Sequence, residues 1–118
     1  MGHDRRRAPR LTAGWQSRYT LDERPDDGWY NCRVLDISLG GAALELFGPA
    51  PLEGAGIRIE LHTTGLPAGM QLDATARHMD TGAGTGTGMR VGFEWHELTF
   101  SQATLLNTLL KLTYLRAS

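Results

Sequence analysis

The stretch Ile57-Arg58-Ile59-Glu60-Leu61-His62 alternates apolar and polar side chains without a break. A period of two places one set of side chains against a core and the other in solvent, which predicts a half-buried β-strand. The same alternation recurs in five further stretches of the chain: Trp15–Leu21, Trp29–Ile37, Ala42–Leu46, Met70–Arg77 and Met89–His96. The sequence therefore predicts six short strands.

The period changes after the last of these stretches. Leucines recur at spacings of three and four between Leu105 and Leu115, which is typical of an amphipathic helix. Thr99 and Gln102 have the spacing of a capping box at the start of that helix. Successive strands followed by one helix predict an antiparallel sheet or small barrel with a helix packed on it.

The segment 81–88 consists of alternating glycine with threonine or alanine. A phosphate-binding loop would need a different glycine register and a following helix, and the stretch that follows is a predicted strand. We therefore expect segment 81–88 to be a flexible hairpin connection.

Length and charge limit the classes of protein that this chain can belong to. Its 118 residues suffice for one domain, and 41% of them are hydrophobic, which is typical of a globular chain. Four arginines and one aspartate give the first ten residues a net charge of +3, and the other 108 residues carry −4. The positive charge is therefore local, which argues against a protein that coats a nucleic acid polymer.

The sequence shows no pattern of an enzyme or of a membrane protein. Cys32 is the single cysteine, which excludes an internal disulfide and a cysteine-built zinc site, and we expect a buried thiol in a reducing compartment. The four histidines are scattered, and Ser38 lacks a nucleophile-elbow motif. No apolar run has the length of a membrane helix or a signal peptide. We predict a cytoplasmic, non-enzymatic protein without metal or cofactor.

Two features of the sequence suggest the binding of a ligand with phosphate or guanine groups. Arg5, Arg6, Arg7 and Arg10 place four guanidiniums in six residues, and Pro9 favours an extended path for this tail. Guanidiniums bind phosphates and guanine acceptors, although a disordered solubilising tail would have the same composition.

The second feature is the pattern Asp36-x-Ser38-x-x-Gly41 at the edge of a predicted strand. It suits a tight corner, because aspartate and serine bond to their own backbone and glycine allows close approach. It equally suits a carboxylate that accepts hydrogen bonds from a guanine.

Taken together, Arg6-x-x-x-Arg10 and Asp36-x-Ser38-x-x-Gly41, separated by 25 residues, resemble the motif of the PilZ domain family, the bacterial receptors for cyclic di-GMP. The late stretch from Met89 to Trp95 looks like the late Val-Gly-x-x-Phe-type strand of that family, and the resemblance covers about residues 5–115. It implies a six-stranded antiparallel β-barrel spanning residues 15–118, with a C-terminal α-helix from about residue 100 and a flexible basic tail over residues 1–14.

The resemblance also implies roles for individual residues. Arg6 and Arg10 would clamp the phosphates and guanine faces of cyclic di-GMP on the outer barrel surface. Asp36 and Ser38 would read a guanine edge, and Gly41 would allow close approach. Arg5 and Arg7 would be auxiliary contacts.

The leading hypothesis is a bacterial receptor in which cyclic di-GMP clamps the arginine tail onto the barrel and changes the surface offered to an unidentified protein partner. The domain would be a monomer or a weak homodimer. The alternative is an interaction adaptor of the same fold that does not bind the nucleotide and recruits partners through the leucines of residues 105–115. A third reading, a single-strand nucleic acid binder that stacks bases on Trp15, Trp29 or Tyr30, is opposed by the acidic barrel.

Overall fold

A computed structural model describes residues 11–63, 66–80 and 88–117 of the chain. Six strands precede one helix, in the order β1 (Leu11–Leu21), β2 (Tyr30–Ile37), β3 (Gly41–Leu46), β4 (Gly56–Thr63), β5 (Leu66–Asp80), β6 (Met89–Trp95) and α1 (Phe100–Ala117). This order confirms the predicted class, six strands and a C-terminal helix. The predicted roles of Arg5, Arg6, Arg7 and Arg10 fall outside the described residues.

The strands form a closed antiparallel barrel in the order β1-β2-β3-β6-β5-β4. β1 pairs with β2 along most of its length and with β4 through Arg18–Leu21, which closes the sheet on itself. β5 and β6 pair as a hairpin, as the sequence predicted, and the structure places Asp80 opposite Arg90. Most of the connecting segment between them lies outside the described residues.

The barrel interior is filled by the apolar set of each alternating strand. Ile57, Ile59 and Leu61 of β4 are completely buried, as their period of two predicted. Tyr19 of β1 is also buried and donates a hydrogen bond from its hydroxyl to the Pro49 carbonyl at 2.8 Å, so its polar end is satisfied. The outward positions of the same strands are therefore left for polar side chains.

Two of the four register shifts in the described strands lie next to Asp36, and neither was predicted. β1 begins at Leu11, four residues before the predicted start, because a bulge between Thr12 and Trp15 interrupts the alternation. Gly14 takes a positive φ of 79° inside this bulge, which glycine adopts without strain. Residues 11–14, assigned to the tail from sequence, therefore belong to the barrel sheet.

The other irregularity lies in β2, where the register shifts between Val34 and Asp36. The alternation predicted that Val34 and Ile37 face opposite sides, but both are completely buried. The prediction was wrong because Leu35 is an extra residue in the pairing with β3 and changes the parity of the strand. The same bulge turns Asp36 away from the core.

The helix α1 begins at the predicted capping box. The Thr99 backbone N–H donates to Gln102 Oε1 at 2.8 Å, and the Gln102 N–H donates to Thr99 Oγ1 at 3.1 Å. Gln102 Nε2 also donates to the Gln71 carbonyl of β5 at 3.1 Å, which ties the helix to the barrel. Among the leucines of α1 whose side chains are described, Leu106 and Leu109 are buried. Within the described ranges, no helix is long and apolar enough to cross a membrane.

Candidate functional site

Ser38 builds the turn that joins β2 to β3. Its backbone N–H donates to the Gly41 carbonyl at 2.8 Å. Its Oγ accepts from the Gly40 N–H at 3.1 Å and lies 3.4 Å from the Gly41 carbonyl as a donor. The side chain is buried. The hydroxyl is therefore hydrogen-bonded within the turn itself. Serine favours such turns because its side chain bonds to the neighbouring backbone.

The end of β6 holds this corner in place. The Trp95 indole N–H donates to the Ser38 carbonyl at 2.9 Å, and the Trp95 backbone N–H donates to the Gly40 carbonyl at 3.0 Å. A Cβ atom at Gly41 would overlap with the Phe93 carbonyl oxygen. Gly41 therefore allows the β3 and β6 backbones to approach each other, and a larger residue cannot fit there.

Asp36 lies on the outer surface beside this corner. It pairs with Thr12 of β1 and Ala43 of β3, and its side chain is 20% exposed. Arg90 of β6 is more exposed, and its Nη2 lies 4.0 Å from Asp36 Oδ2, longer than a hydrogen bond. The structure therefore places Asp36 and Arg90 beside the corner that Ser38 and Gly41 form.

The start of β1 lies against the same corner. Leu11, the first residue of β1, is the partner of Ile37, and Thr12 is the partner of Asp36. Arg10 is the residue immediately before Leu11 in the chain. Residues 5–10, which carry the four arginines, are called the arginine segment below. The described part of the chain places Leu11, to which this segment is attached, opposite Ile37 of the Asp36 motif.

A row of charged side chains crosses the outer face next to Asp36. Arg33 of β2, Glu45 of β3 and Arg90 of β6 are consecutive partners in the strand register. Arg33 Nη2 donates to Glu45 Oε1 at 2.7 Å, while the buried Arg33 Nε finds no hydrogen-bond partner in the part of the chain that the structure describes. The sequence analysis did not predict that Arg90 lies near Asp36. The two residues are 54 positions apart in the chain, and only the strand register brings them together.

A second polar cluster lies on the other half of the barrel and is centred on Glu60 of β4. Glu60 Oε1 accepts from Arg18 Nε and His62 Nε2, both at 2.6 Å, and Oε2 accepts from Gln71 Nε2 at 3.0 Å. The hydrogen bonds from Arg18, then Gln71 and His62, lower the pKa of Glu60 to about 2. The Arg18 guanidinium also lies 4.8 Å from the centre of the Trp29 ring.

The remaining candidate groups are engaged in the core. Cys32 is completely buried, and burial raises the pKa of its thiol to about 12, so it is not a reactive thiolate. Tyr30 packs its ring against Tyr19, with centroids 5.5 Å apart, and donates its hydroxyl to Asp27 Oδ2 at 2.7 Å. Of the three aromatic residues considered as stacking platforms, Trp29 is the one with an exposed ring.

The sequence profile of the PilZ domain matches residues 4–112. The chain belongs to the PilZ domain family. The profile covers the arginine pair, the Asp36 motif and all six strands of this PilZ domain. A search of curated proteins gives no match.

The fold of this PilZ domain is similar to those of several solved structures. The PilZ domain of YcgR from Escherichia coli with c-di-GMP has a TM-score of 0.75 at 20% identity, covering 97% of this chain and 95% of that one. The inhibitor of motility MotI/DgrA from Bacillus subtilis has a TM-score of 0.76 at 17% identity, with 98% and 54% covered. MrkH from K. pneumonia, in a complex with c-di-GMP, has a TM-score of 0.74 at 18% identity, with 98% and 55% covered. This chain therefore spans about half of MotI/DgrA and MrkH.

Proposed function

We propose that this PilZ domain is a non-enzymatic receptor for cyclic di-GMP. Family membership supports the proposal, as do the YcgR and MrkH structures, which contain this nucleotide. The observation that carries the proposal is the pairing of Leu11 with Ile37 and of Thr12 with Asp36. This pairing attaches the arginine segment beside Asp36. This attachment supports a single surface for the two halves of the binding motif.

In this proposal the dinucleotide lies on the outer face of the barrel. Arg6 and Arg10 donate to its phosphates and guanine faces, and Asp36 accepts from the donor edge of a guanine. Arg6 precedes Leu11 by five residues, which gives it a reach of about 17 Å in an extended chain. That reach is enough to cover both halves of a small dinucleotide. Arg5 and Arg7 are auxiliary contacts.

Ser38 and Gly41 contribute to the proposed site by setting its shape. The Ser38 hydrogen bonds and the close approach at Gly41 hold the corner that carries Asp36. A rigid corner positions the carboxylate before the ligand arrives, which lowers the cost of binding. Ser38 therefore supports recognition of the guanine edge through the backbone that it fixes.

The ligand changes the domain by holding residues 5–10 against β2, β3 and β6. Cyclic di-GMP is a dianion, and the acidic remainder of the domain favours contact at the arginine segment. Four charge-assisted contacts of about 1.5–3 kcal/mol each, less the cost of immobilising ligand and chain, suffice for a micromolar affinity. The rearranged surface is the one offered to a protein partner, in a cytoplasmic location that suits the reduced Cys32.

Calorimetric titration with cyclic di-GMP tests this proposal. We expect saturable binding by the full chain and no measurable binding by Arg6→Ala or Arg10→Ala. Arg58→Gln is the matched control, because Arg58 is an exposed arginine of β4 paired with Asp73 at 3.0 Å, outside the proposed site. Absence of binding to the wild-type chain at tens of micromolar nucleotide contradicts the proposal.

A second candidate function, a protein adaptor, is favoured by the outer face of α1. Leu105 and Leu112 are seven residues apart, lie on one side of the helix and are each more than half exposed, and Phe100 at the start of α1 is 87% exposed, although all three are large apolar residues. We propose this face as the surface that meets a protein partner or a second copy of the domain. A sedimentation measurement tests the self-association: a dimer unaffected by the nucleotide and lost in Leu105→Glu supports the adaptor function, and a monomer at all concentrations contradicts self-association.

A further inference from the structure

Asp36 and Arg90 place a negative and a positive group side by side on the outer face of the barrel. β3 lies between their strands, and the closed register brings the two residues together. Arg90 Nη2 lies 4.0 Å from Asp36 Oδ2, and the Arg90 side chain is 51% exposed. Each group is therefore near enough to the other to contact the same small molecule.

This pair of charges matches the hydrogen-bonding edge of guanine. The base presents N1–H and N2–H donors next to the O6 acceptor, and O6 and N7 are the acceptors that arginine binds. A carboxylate can accept from the donors while a neighbouring guanidinium donates to O6. Adenine has an amino donor in place of O6, so it faces the guanidinium with the wrong group.

We propose that Arg90 is a specificity-determining residue that donates to O6 of the guanine held by Asp36. The inference rests on the proposed function and assigns to the site a cationic residue outside the two motifs. It makes recognition of one base depend on β2 and β6 together. The preference for guanine over adenine then comes from the barrel surface as well as from the arginine segment.

The other arginines of the described surface are less suited to this role. Arg33 Nη2 donates to Glu45 at 2.7 Å, Arg58 Nε donates to Asp73 at 3.0 Å and Arg77 Nε donates to Glu94 at 3.0 Å. Arg90 has a long contact with its acidic neighbour, whereas Arg24, which also has a long contact, lies in the turn between β1 and β2, at the opposite end of β2 from Asp36. The Arg90 guanidinium can rotate onto a ligand atom without breaking a short hydrogen bond.

The preference of the full chain for cyclic di-GMP over cyclic di-AMP tests the inference. Cyclic di-GMP is titrated by calorimetry, and cyclic di-AMP is titrated into the millimolar range by NMR, so that weak binding is measured. For Arg90→Gln we expect cyclic di-GMP to bind about 10-fold more weakly and cyclic di-AMP to bind unchanged, so the preference falls about 10-fold. Arg58→Gln, the control, should keep both affinities.

Three outcomes overturn the inference. Wild-type affinity of Arg90→Gln for cyclic di-GMP removes Arg90 from the site. An equal loss for both nucleotides assigns Arg90 to a phosphate, which the two ligands share. Absence of cyclic di-GMP binding by the wild-type chain overturns the proposed function as well, whereas an unchanged preference in Arg90→Gln beside a wild type that binds overturns the inference alone.

Discussion

Asp36 and Glu60 are carboxylates on opposite halves of the barrel surface. The strands β2, β3 and β6 carry the first half, and β5, β4 and β1 carry the second. Glu60 accepts three hydrogen bonds and its side chain is 9% exposed, whereas the Asp36 side chain is 20% exposed and lies 4.0 Å from Arg90. The three hydrogen bonds of the more buried carboxylate, Glu60, stabilise the barrel, and the carboxylate of Asp36 is the more accessible of the two.

The largest expected effect concerns the corner that holds Asp36. Gly41→Ala should lower the free energy of unfolding by about 3 kcal/mol, because the added Cβ overlaps with the Phe93 carbonyl oxygen and neither backbone can move freely. Gly40→Ala is the matched control, since its Cβ would lie 3.8 Å from Ser38 Oγ, an ordinary contact. Chemical denaturation measures both variants. Equal stability of the two variants would show that the corner is not tightly packed.

Asp36→Asn should weaken cyclic di-GMP binding by about 10- to 100-fold, because an amide replaces the carboxylate that we propose as the acceptor for the guanine. Glu60→Gln makes the same chemical change on the other half of the barrel and should keep the affinity. Calorimetry compares the two variants with the wild-type chain. A similar loss of affinity in both variants would remove the functional difference between the two carboxylates.

Glu60→Gln should instead lower the free energy of unfolding by about 1–2 kcal/mol at pH 7, since Arg18 and His62 then face a neutral amide. The exposed pair of Arg58 and Asp73 provides the control, because Asp73→Asn should cost less than about 0.5 kcal/mol. Denaturation curves measure both variants.

The effect of Glu60→Gln should depend on pH in a defined direction. The hydrogen bonds lower the pKa of Glu60 in the folded protein from 4.5 to about 2. Its contribution is therefore fully present above pH 4.5 and is lost as the pH falls towards 2. The difference in unfolding free energy between wild type and Glu60→Gln should shrink over this window, and a constant difference would contradict the assignment.

The smallest expected effect concerns Ser38 and shows whether its hydroxyl holds the turn between β2 and β3 or contacts the ligand. Ser38→Ala should cost about 1 kcal/mol of stability and change the affinity for cyclic di-GMP less than about 3-fold, because its hydroxyl is engaged in the turn. Ser17→Ala is the counterpart on the other half, where the buried Ser17 Oγ accepts from the His62 N–H at 3.1 Å. A large loss of affinity in Ser38→Ala alone would place the hydroxyl on the ligand.

Local patterns in the sequence predicted the elements of this fold well. The alternation from Ile57 to Leu61 predicted a strand whose apolar side chains are buried. The spacing of Thr99 and Gln102 predicted the start of α1. Alternation fails at bulges, because one extra residue inverts the parity of everything after it. For that reason the start of β1 at Leu11 and the burial of Ile37 were not predicted.

The sequence by itself determined the six strands, the terminal helix, the local positive charge and the family motif, because these depend on neighbouring residues and on spacing along the chain. Only the tertiary structure decided which distant residues meet. Closure of the barrel placed β6 beside β3, and that pairing brought Arg90 to Asp36 and Phe93 to Gly41. Strand register is a property of the whole sheet, so contacts across 50 or more residues follow from closure and from the bulges.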